Sequence, residues 1–250
     1  MKSNFRKRLL QGDSLTGTIV SLPCPQIAEL LSRSGFEWLF IDGEHGSLSV
    51  GDIQLLLQAA QPRCPCVVRV AANHEVYIKQ VLDTGPDGII APLVNDADTA
   101  ARVVAWAKYP PLGKRSVGIA RAQGYGFAFN DYVNHANTDV AVIIQVEHIE
   151  AVANIASILD VDGIDGVFIG PYDLSASMGK PGNINDADVR HQIETVRLAC
   201  QKRGMALGVF GVDAAAMRPF MVQGYTLNAV GMDTLLLGHS ARLVLSELKP

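Results

Sequence analysis

A short apolar, β-branched run followed by a helical stretch recurs eight times along the chain, and this recurrence constrains the fold more than any single motif. The predicted pairs open with 16–22 and 26–34, 38–42 and 50–61, 67–70 and 75–83, and 88–94 and 96–109. They continue with 140–147 and 150–159, 166–170 and 186–203, 206–210 and 213–223, and 227–230 and 234–248. Runs such as Val140 to Val146 show no inside/outside alternation, as expected of parallel strands covered on both faces. Eight such units in 250 residues predict a single α/β domain over 1–250, a (β/α)8 or TIM barrel. An open doubly wound sheet would place a glycine-rich turn after its first strand. Here that turn reads Ser21-Leu22-Pro23-Cys24, which cannot cradle a dinucleotide phosphate.

Composition excludes several functions. Hydrophobic residues make up 48% and charged residues 18%, enough for a large core and too apolar for a disordered chain. The net charge of −4 argues against a nucleic-acid partner, because phosphate neutralisation needs clustered Lys and Arg. No apolar stretch is long enough for a transmembrane helix, so no membrane partner is expected. Met1–Gln11 is basic but lacks the apolar run of a secretory signal, which predicts a cytoplasmic protein. Cys24, Cys64, Cys66 and Cys200 lack the spacing of a zinc or redox site and read as reduced thiols. A mean hydropathy of +0.19 with few charges predicts apolar surface hidden against other subunits.

In such a barrel the chemistry sits at the carboxyl ends of the strands. The second predicted strand ends in Asp42-Gly43-Glu44-His45-Gly46, the third near Arg69, the fifth in Gln145-Val146-Glu147-His148 and the sixth in Gly170-Pro171-Tyr172-Asp173. Ionisable groups thus converge from four strands. Glu147 and Asp173 end adjacent strands and are placed to share a hard divalent cation such as Mg2+ or Mn2+; as helix caps or partners of Arg69 they would be structural. His45 follows Asp42 by three residues across a glycine-flanked turn, the company a general base needs, although a lone histidine is more often structural. Arg69 closes an otherwise apolar strand and needs anionic partners, either permanently from Glu147 or Glu44 or as an oxyanion arising in catalysis. His148, next to Glu147, is expected to open the following helix. Two long connections, Pro110–Asn130 and Tyr172–Asn185, stand out, and the first is expected to hold part of an added helix over Gly126–His135.

These residues resemble the HpcH/HpaI aldolases, class II metal-dependent pyruvate aldolases of the phosphoenolpyruvate/pyruvate barrel type. The resemblance rests on residues 42–46, Val68-Arg69-Val70, Lys108-Tyr109-Pro110-Pro111-x-Gly113-x-Arg115, Arg121-Ala122, Gln145-Val146-Glu147 and 166–179, and it runs in order from about residue 5 to 240. It implies reversible cleavage of a 4-hydroxy-2-oxo acid, either a 2-keto-3-deoxy sugar acid or a 4-hydroxy-2-oxo diacid, into pyruvate and an aldehyde. Glu147 and Asp173 would hold the divalent ion (Mg2+, Mn2+ or Co2+), Arg69 would stabilise the enolate oxygen, and His45 would take the proton of the 4-hydroxyl. Gln145 and the backbone of Gly170, Pro171, Tyr172 and Asp173 would hold the pyruvate carboxylate. Asp42 would orient His45. Asp83, which ends the third helix on the face opposite its own site, would reach His45 of a neighbouring subunit in a homo-oligomer, typically a hexamer. Tyr172 stands where many members carry a small residue. Two other readings remain: a lyase acting on CoA thioesters such as malyl-CoA, whose relatives usually carry extra chain, and a non-catalytic barrel that binds a 2-oxo acid.

Overall fold

The structure, a computed structural model, describes residues 5–248. The first four residues of the basic Met1–Gln11 segment and the last two of the expected 1–250 domain therefore lie outside the described residues. The chain begins with α1 (Phe5–Leu10), β1 (Leu15–Val20), α2 (Pro25–Arg33), β2 (Trp38–Asp42), α3 (Val50–Ala60), β3 (Cys66–Arg69) and α4 (Glu75–Asp83). It continues through β4 (Gly88–Ala91), α5 (Ala97–Ala107), a 3-10 turn (Arg121–Gly126), α6 (Phe129–Asp139) and β5 (Ala141–Val146). Then come α7 (Ile149–Ala153), α8 (Ile155–Ile158), β6 (Gly166–Ile169), α9 (Pro171–Ser177), α10 (Ala187–Lys202) and β7 (Ala206–Gly211). The last elements are α11 (Ala214–Val222), β8 (Leu227–Met232) and α12 (Asp233–Leu248).

The eight strands pair in sequence order, all parallel, and β8 returns to β1 to close the barrel. The expected TIM barrel is the fold. Two apolar layers hold it together. Side chains pointing inward, among them Leu15, Trp38, Phe40, Val67, Ile90, Ile143, Phe168 and Leu227, fill the barrel interior. Those pointing outward, such as Leu39, Val68, Ile89, Ile144 and Val167, meet the helices. Each large side chain fully buried contributes roughly 1.5–3 kcal/mol relative to exposure. In the interior Trp38 stacks on Phe40, with centroids 6.0 Å apart, and Phe40 meets Phe168 edge-to-face at 5.4 Å.

The structure corrects the sequence reading in four places. Phe5–Leu10 forms a helix that was not anticipated: Phe5 and Leu9 plug the barrel interior, while Arg6 grips Asp165 through bonds of 2.8 and 2.9 Å. The single helix expected over 150–159 breaks at Asn154 into α7 and α8. The helix expected over Gly126–His135 lies further along, as α6. Tyr172–Asn185, read as a loop, contains most of α9. Cys64, Cys66 and Cys200 are buried, and burial pushes the Cys64 and Cys200 thiols up to about 12. Among the described residues no helix is long and apolar enough to cross a membrane.

α12 differs from the other long helices. From Thr234 onward every residue is exposed, including Leu235, Leu237, Leu243, Val244, Leu245 and Leu248. An apolar helix standing in water is unpaid for within one chain.

Candidate active site

The site begins with strand register. β2 and β3 pair so that Asp42 and Arg69 are direct neighbours at the carboxyl end of the barrel. The Arg69 fork closes on Asp42, with Nε donating to Oδ1 at 2.9 Å and Nη2 to Oδ2 at 2.6 Å. A bidentate arginine–carboxylate pair fixes both position and plane. The guanidinium lies 5.3 Å above the Phe40 ring, so the top of the interior core supports it from below. Only Nη1 is left over; it donates to Gln145 Oε1 at 3.4 Å and lies 3.2 Å from Glu44 Oε2.

Asp42 also shapes the turn that carries His45. Its Oδ1 accepts from the main-chain N–H of Glu44 (3.1 Å) and His45 (3.2 Å), the local bonding for which short acidic side chains are favoured at turns. Sequence reasoning expected Asp42 to orient the His45 imidazole. The structure spends both carboxylate oxygens elsewhere, and Asp42 reaches His45 only through its main chain. The physical reason is the register, which puts a guanidinium beside Asp42 before any imidazole can reach it. Of the two Arg69 partners expected, Glu44 is borne out by a contact of 3.2 Å, Glu147 acts only through its charge, and Asp42, which was not expected, takes the fork. Gly43 permits the turn, since a Cβ there would lie 2.6 Å from Arg69 O. His45 itself is exposed. Burial pushes the Glu44 carboxyl up to about 6, even with Arg69 beside it.

Glu147 and Gln145 come from the end of β5. Glu147 is buried, and its carboxylate is pinned from two directions: Oε1 accepts the Leu93 N–H at 2.7 Å and Oε2 accepts from Gln145 Nε2. Leu93 adopts φ +52°, a left-handed conformation costly for a leucine, and this aims its N–H at Glu147. Sequence reasoning missed Leu93, because nothing in a leucine announces a backbone donor. Gly170, after β6, is pressed against the same pair; a Cβ there would fall 2.9 Å from Glu147 Cβ and 3.1 Å from its Oε2. Asp173 follows in the first turn of α9, started by Pro171 at its favoured N-terminal position. That Pro-x-Asp pattern was the available signal for α9. Tyr172 is 42% exposed beside it.

Burial raises the Glu147 carboxyl, the bonds from Leu93 and Gln145 hold it down, and the Asp173 charge raises it further. Glu147, buried, and Asp173, exposed, are thus near enough for the charge of one to act on the other. An all-oxygen pair of this kind fits a hard divalent ion that takes its remaining ligands from water and substrate. Among the described residues no three His, Cys, Asp or Glu converge into a complete protein cage.

Other expected residues lie elsewhere. Asp83 ends α4 at the amino-terminal end of the barrel, as expected, and there bonds Arg115 Nη2 at 2.9 Å. Arg115 is fully buried between Tyr109 and Tyr132, its guanidinium 4.7 and 5.6 Å from the two rings. His148 caps α7, accepting the Glu150 N–H at 3.2 Å. Asp233 accepts the N–H groups of Ser21 (2.9 Å) and Leu22 (2.8 Å) and so ties β8 to the turn after β1.

Comparison with known proteins bears on this arrangement. The family model described as HpcH/HpaI aldolase/citrate lyase matches residues 16–240. The chain is 42% identical to the 4-hydroxy-2-oxo-heptane-1,7-dioate aldolase of Salmonella paratyphi B, over 96% of this chain and 92% of that one. Among solved structures, an HpcH/HpaI aldolase/citrate lyase family protein from Burkholderia cenocepacia J2315 superposes with a TM-score of 0.96 at 34% identity, covering all of both chains. A citrate lyase beta subunit from M. tuberculosis, complexed with oxaloacetate and magnesium, shares the fold at a TM-score of 0.59 and 15% identity, over 91% of this chain and 95% of that one.

Proposed function

The chain belongs to the HpcH/HpaI aldolase/citrate lyase family, and from that premise we propose that it is a class II pyruvate aldolase using a divalent metal ion. It cleaves a 4-hydroxy-2-oxo acid reversibly into pyruvate and an aldehyde, as an aldolase of aromatic or sugar-acid catabolism. The reading is supported by the carboxyl ends of β2, β3, β5 and β6, which carry the Arg69 fork on Asp42, the buried Glu147 and, in the first turn of α9, Asp173, whose charge acts on Glu147.

Glu147 and Asp173 would hold the ion, whether Mg2+, Mn2+ or Co2+; when bound, it supplies a Lewis acid beside the 2-oxo group. Gln145 and the free first-turn amides of α9, at Tyr172 and Asp173 next to Gly170 and Pro171, orient the substrate carboxylate. His45 accepts the proton of the 4-hydroxyl, and the C4–O bond becomes a carbonyl. The electron pair of the broken C3–C4 bond passes into the enolate of pyruvate, with negative charge collecting on the C2 oxygen. The remaining donor of Arg69, Nη1, is held rigidly by the Asp42 pairing and meets that charge without reorganising. Asp42 and Glu44 set the angle of the arginine and of the His45 turn. Protonation of the enolate at C3 releases pyruvate.

The exposed apolar face of α12 supports a homo-oligomer in which this helix packs on another copy, up to the hexamer implied by the family resemblance. In that assembly Asp83, presented by Arg115 at the amino-terminal end of one barrel, belongs to the His45 of its neighbour. Free cysteines, three of them buried, support a cytoplasmic location.

A lactate-dehydrogenase-coupled assay of pyruvate release tests the reading over a panel of 4-hydroxy-2-oxo acids. EDTA is expected to abolish turnover and Mg2+, Mn2+ or Co2+ to restore it. Full turnover in chelator, or a pyruvate–lysine adduct trapped by borohydride, would overturn it.

A further inference from the structure

Leu93 follows the end of β4 in left-handed backbone, which a leucine adopts only where its surroundings impose it. Its own side chain does not impose it, because Leu93 is 52% exposed and gains little by burial. The grip comes from a neighbouring loop. Asn73, between β3 and α4, donates from Nδ2 to Pro92 O at 2.8 Å and to Leu93 O at 2.9 Å. Both partners are acceptors, so the NH2 of the amide must be the group that faces them.

These two carbonyls belong to the peptide units on either side of Leu93 Cα. Consecutive carbonyls point the same way in helical backbone of either hand and opposite ways in extended backbone. One amide that holds both therefore excludes an extended Leu93. The consequence reaches the active site, because the C=O and N–H of a trans peptide point in opposite directions. In the peptide between Pro92 and Leu93, Asn73 holds the oxygen while the N–H is given to Glu147 Oε1 at 2.7 Å. Two hydrogen bonds in series through one peptide also strengthen each other.

Both ends of this link are braced. Asn73 sits in a turn closed by the His74 N–H on Ala72 O at 2.8 Å, and His74 caps α4. Beyond Leu93, Val94 is fully buried, Asn154 Nδ2 donates to Asn95 O at 2.9 Å, and Asp96 caps α5. Loss of the Asn73 amide thus frees the peptide between Pro92 and Leu93 and leaves the rest of the loop in place.

We propose that Asn73 is a positioning residue for the reaction, acting through the Leu93 peptide to hold the Glu147 carboxylate ready for the divalent ion. This rests on the assignment of Glu147 as a metal ligand above and adds what keeps that ligand in place.

The test is a double-mutant cycle on the full chain with Asn73→Ala and Leu93→Gly, read by Mg2+ titration calorimetry. Glycine takes left-handed backbone without a steric cost, so it needs the amide less. Asn73→Ala is expected to weaken Mg2+ binding by about 5–30-fold, the worth of one or two hydrogen bonds, and by less than about threefold in the Leu93→Gly background. In EDTA-treated protein, hydrogen exchange at the Leu93 amide should quicken by at least about fivefold in Asn73→Ala, a readout that needs no metal. Mg2+ affinity within about twofold of wild type, or an equal loss in both backgrounds, overturns the role, as does a fall in Tm without these changes. Wild type that binds no Mg2+, Mn2+ or Co2+ would count against the metal reading, whereas normal binding by wild type and Asn73→Ala alike would count against Asn73 alone.

Discussion

Replacing Gly170 with alanine adds a single methyl group, and the structure says where it must go. The backbone there has φ −100° and ψ 84°, which alanine tolerates, so the cost does not arise from backbone strain. It arises from Glu147. The new Cβ would sit 2.9 Å from Glu147 Cβ, 3.1 Å from its Oε2 and 3.2 Å from Gln145 Nε2. Comfortable carbon–carbon contact is about 3.5–4.0 Å, so Glu147 must retreat by roughly 0.6–1 Å. It cannot do so freely, because Leu93 N–H and Gln145 hold its two oxygens. Overpacking of this kind costs about 1–3 kcal/mol. In a domain this size each kcal/mol lowers Tm by roughly 2–4 °C. A displacement of about 1 Å in a catalytic group costs on the order of 100-fold in rate. Gly170→Ala should therefore stay folded with Tm a few degrees lower, lose about two orders of magnitude in kcat and bind Mg2+ more weakly by titration calorimetry. Gly51→Ala, where a Cβ would meet only Ser49 Oγ at 3.6 Å, serves as the control. Should Gly170→Ala keep kcat within about threefold and its Mg2+ affinity intact, Glu147 is not a constrained metal ligand and the assignment fails.

Arg69→Lys keeps the charge but cannot bridge both oxygens of Asp42 while reaching Gln145 and Glu44. We expect kcat to fall by about 100–1,000-fold in the pyruvate-release assay, and a loss under about fivefold would refute the oxyanion role. Glu44 titrates near 6 in the folded chain against 4.5 in the unfolded one. The folded state thus holds the proton more tightly, and the stabilisation that this provides is present below pH 4.5 and lost as pH rises through 6. In EDTA-treated protein, Tm of Glu44→Gln relative to wild type should therefore rise between about pH 4.5 and pH 7, by at most about 2 kcal/mol in stability; a flat difference would refute the burial argument. Leu237→Glu combined with Leu245→Glu places charge on the apolar face of α12 and should shift the assembly toward monomers in light scattering, and an unchanged mass would show that this face is not an interface.

The order of the elements and the barrel they form were legible in the sequence, because parallel strands buried on both faces read as unbroken apolar runs and because the chain is long enough for eight units. The carboxyl-end residues were legible for the same reason: once the strands are placed, barrel geometry says which ends carry chemistry, and so Arg69, Glu147 and Asp173 could be named together. What tertiary structure alone decided is who touches whom. The β2–β3 register gave Asp42 to Arg69 rather than to the His45 ring, a choice invisible in the spacing of 42 and 45. The donor that fixes Glu147 is the backbone of Leu93, set by a left-handed turn and not by side-chain chemistry. The role of Phe5 and Leu9 as an interior plug depends on where a short segment returns in space, since six residues carry too little periodicity to predict a helix. Periodic burial is a property of each segment and is written along the chain. Register and close approach are relations between segments, and they exist only when the barrel has closed.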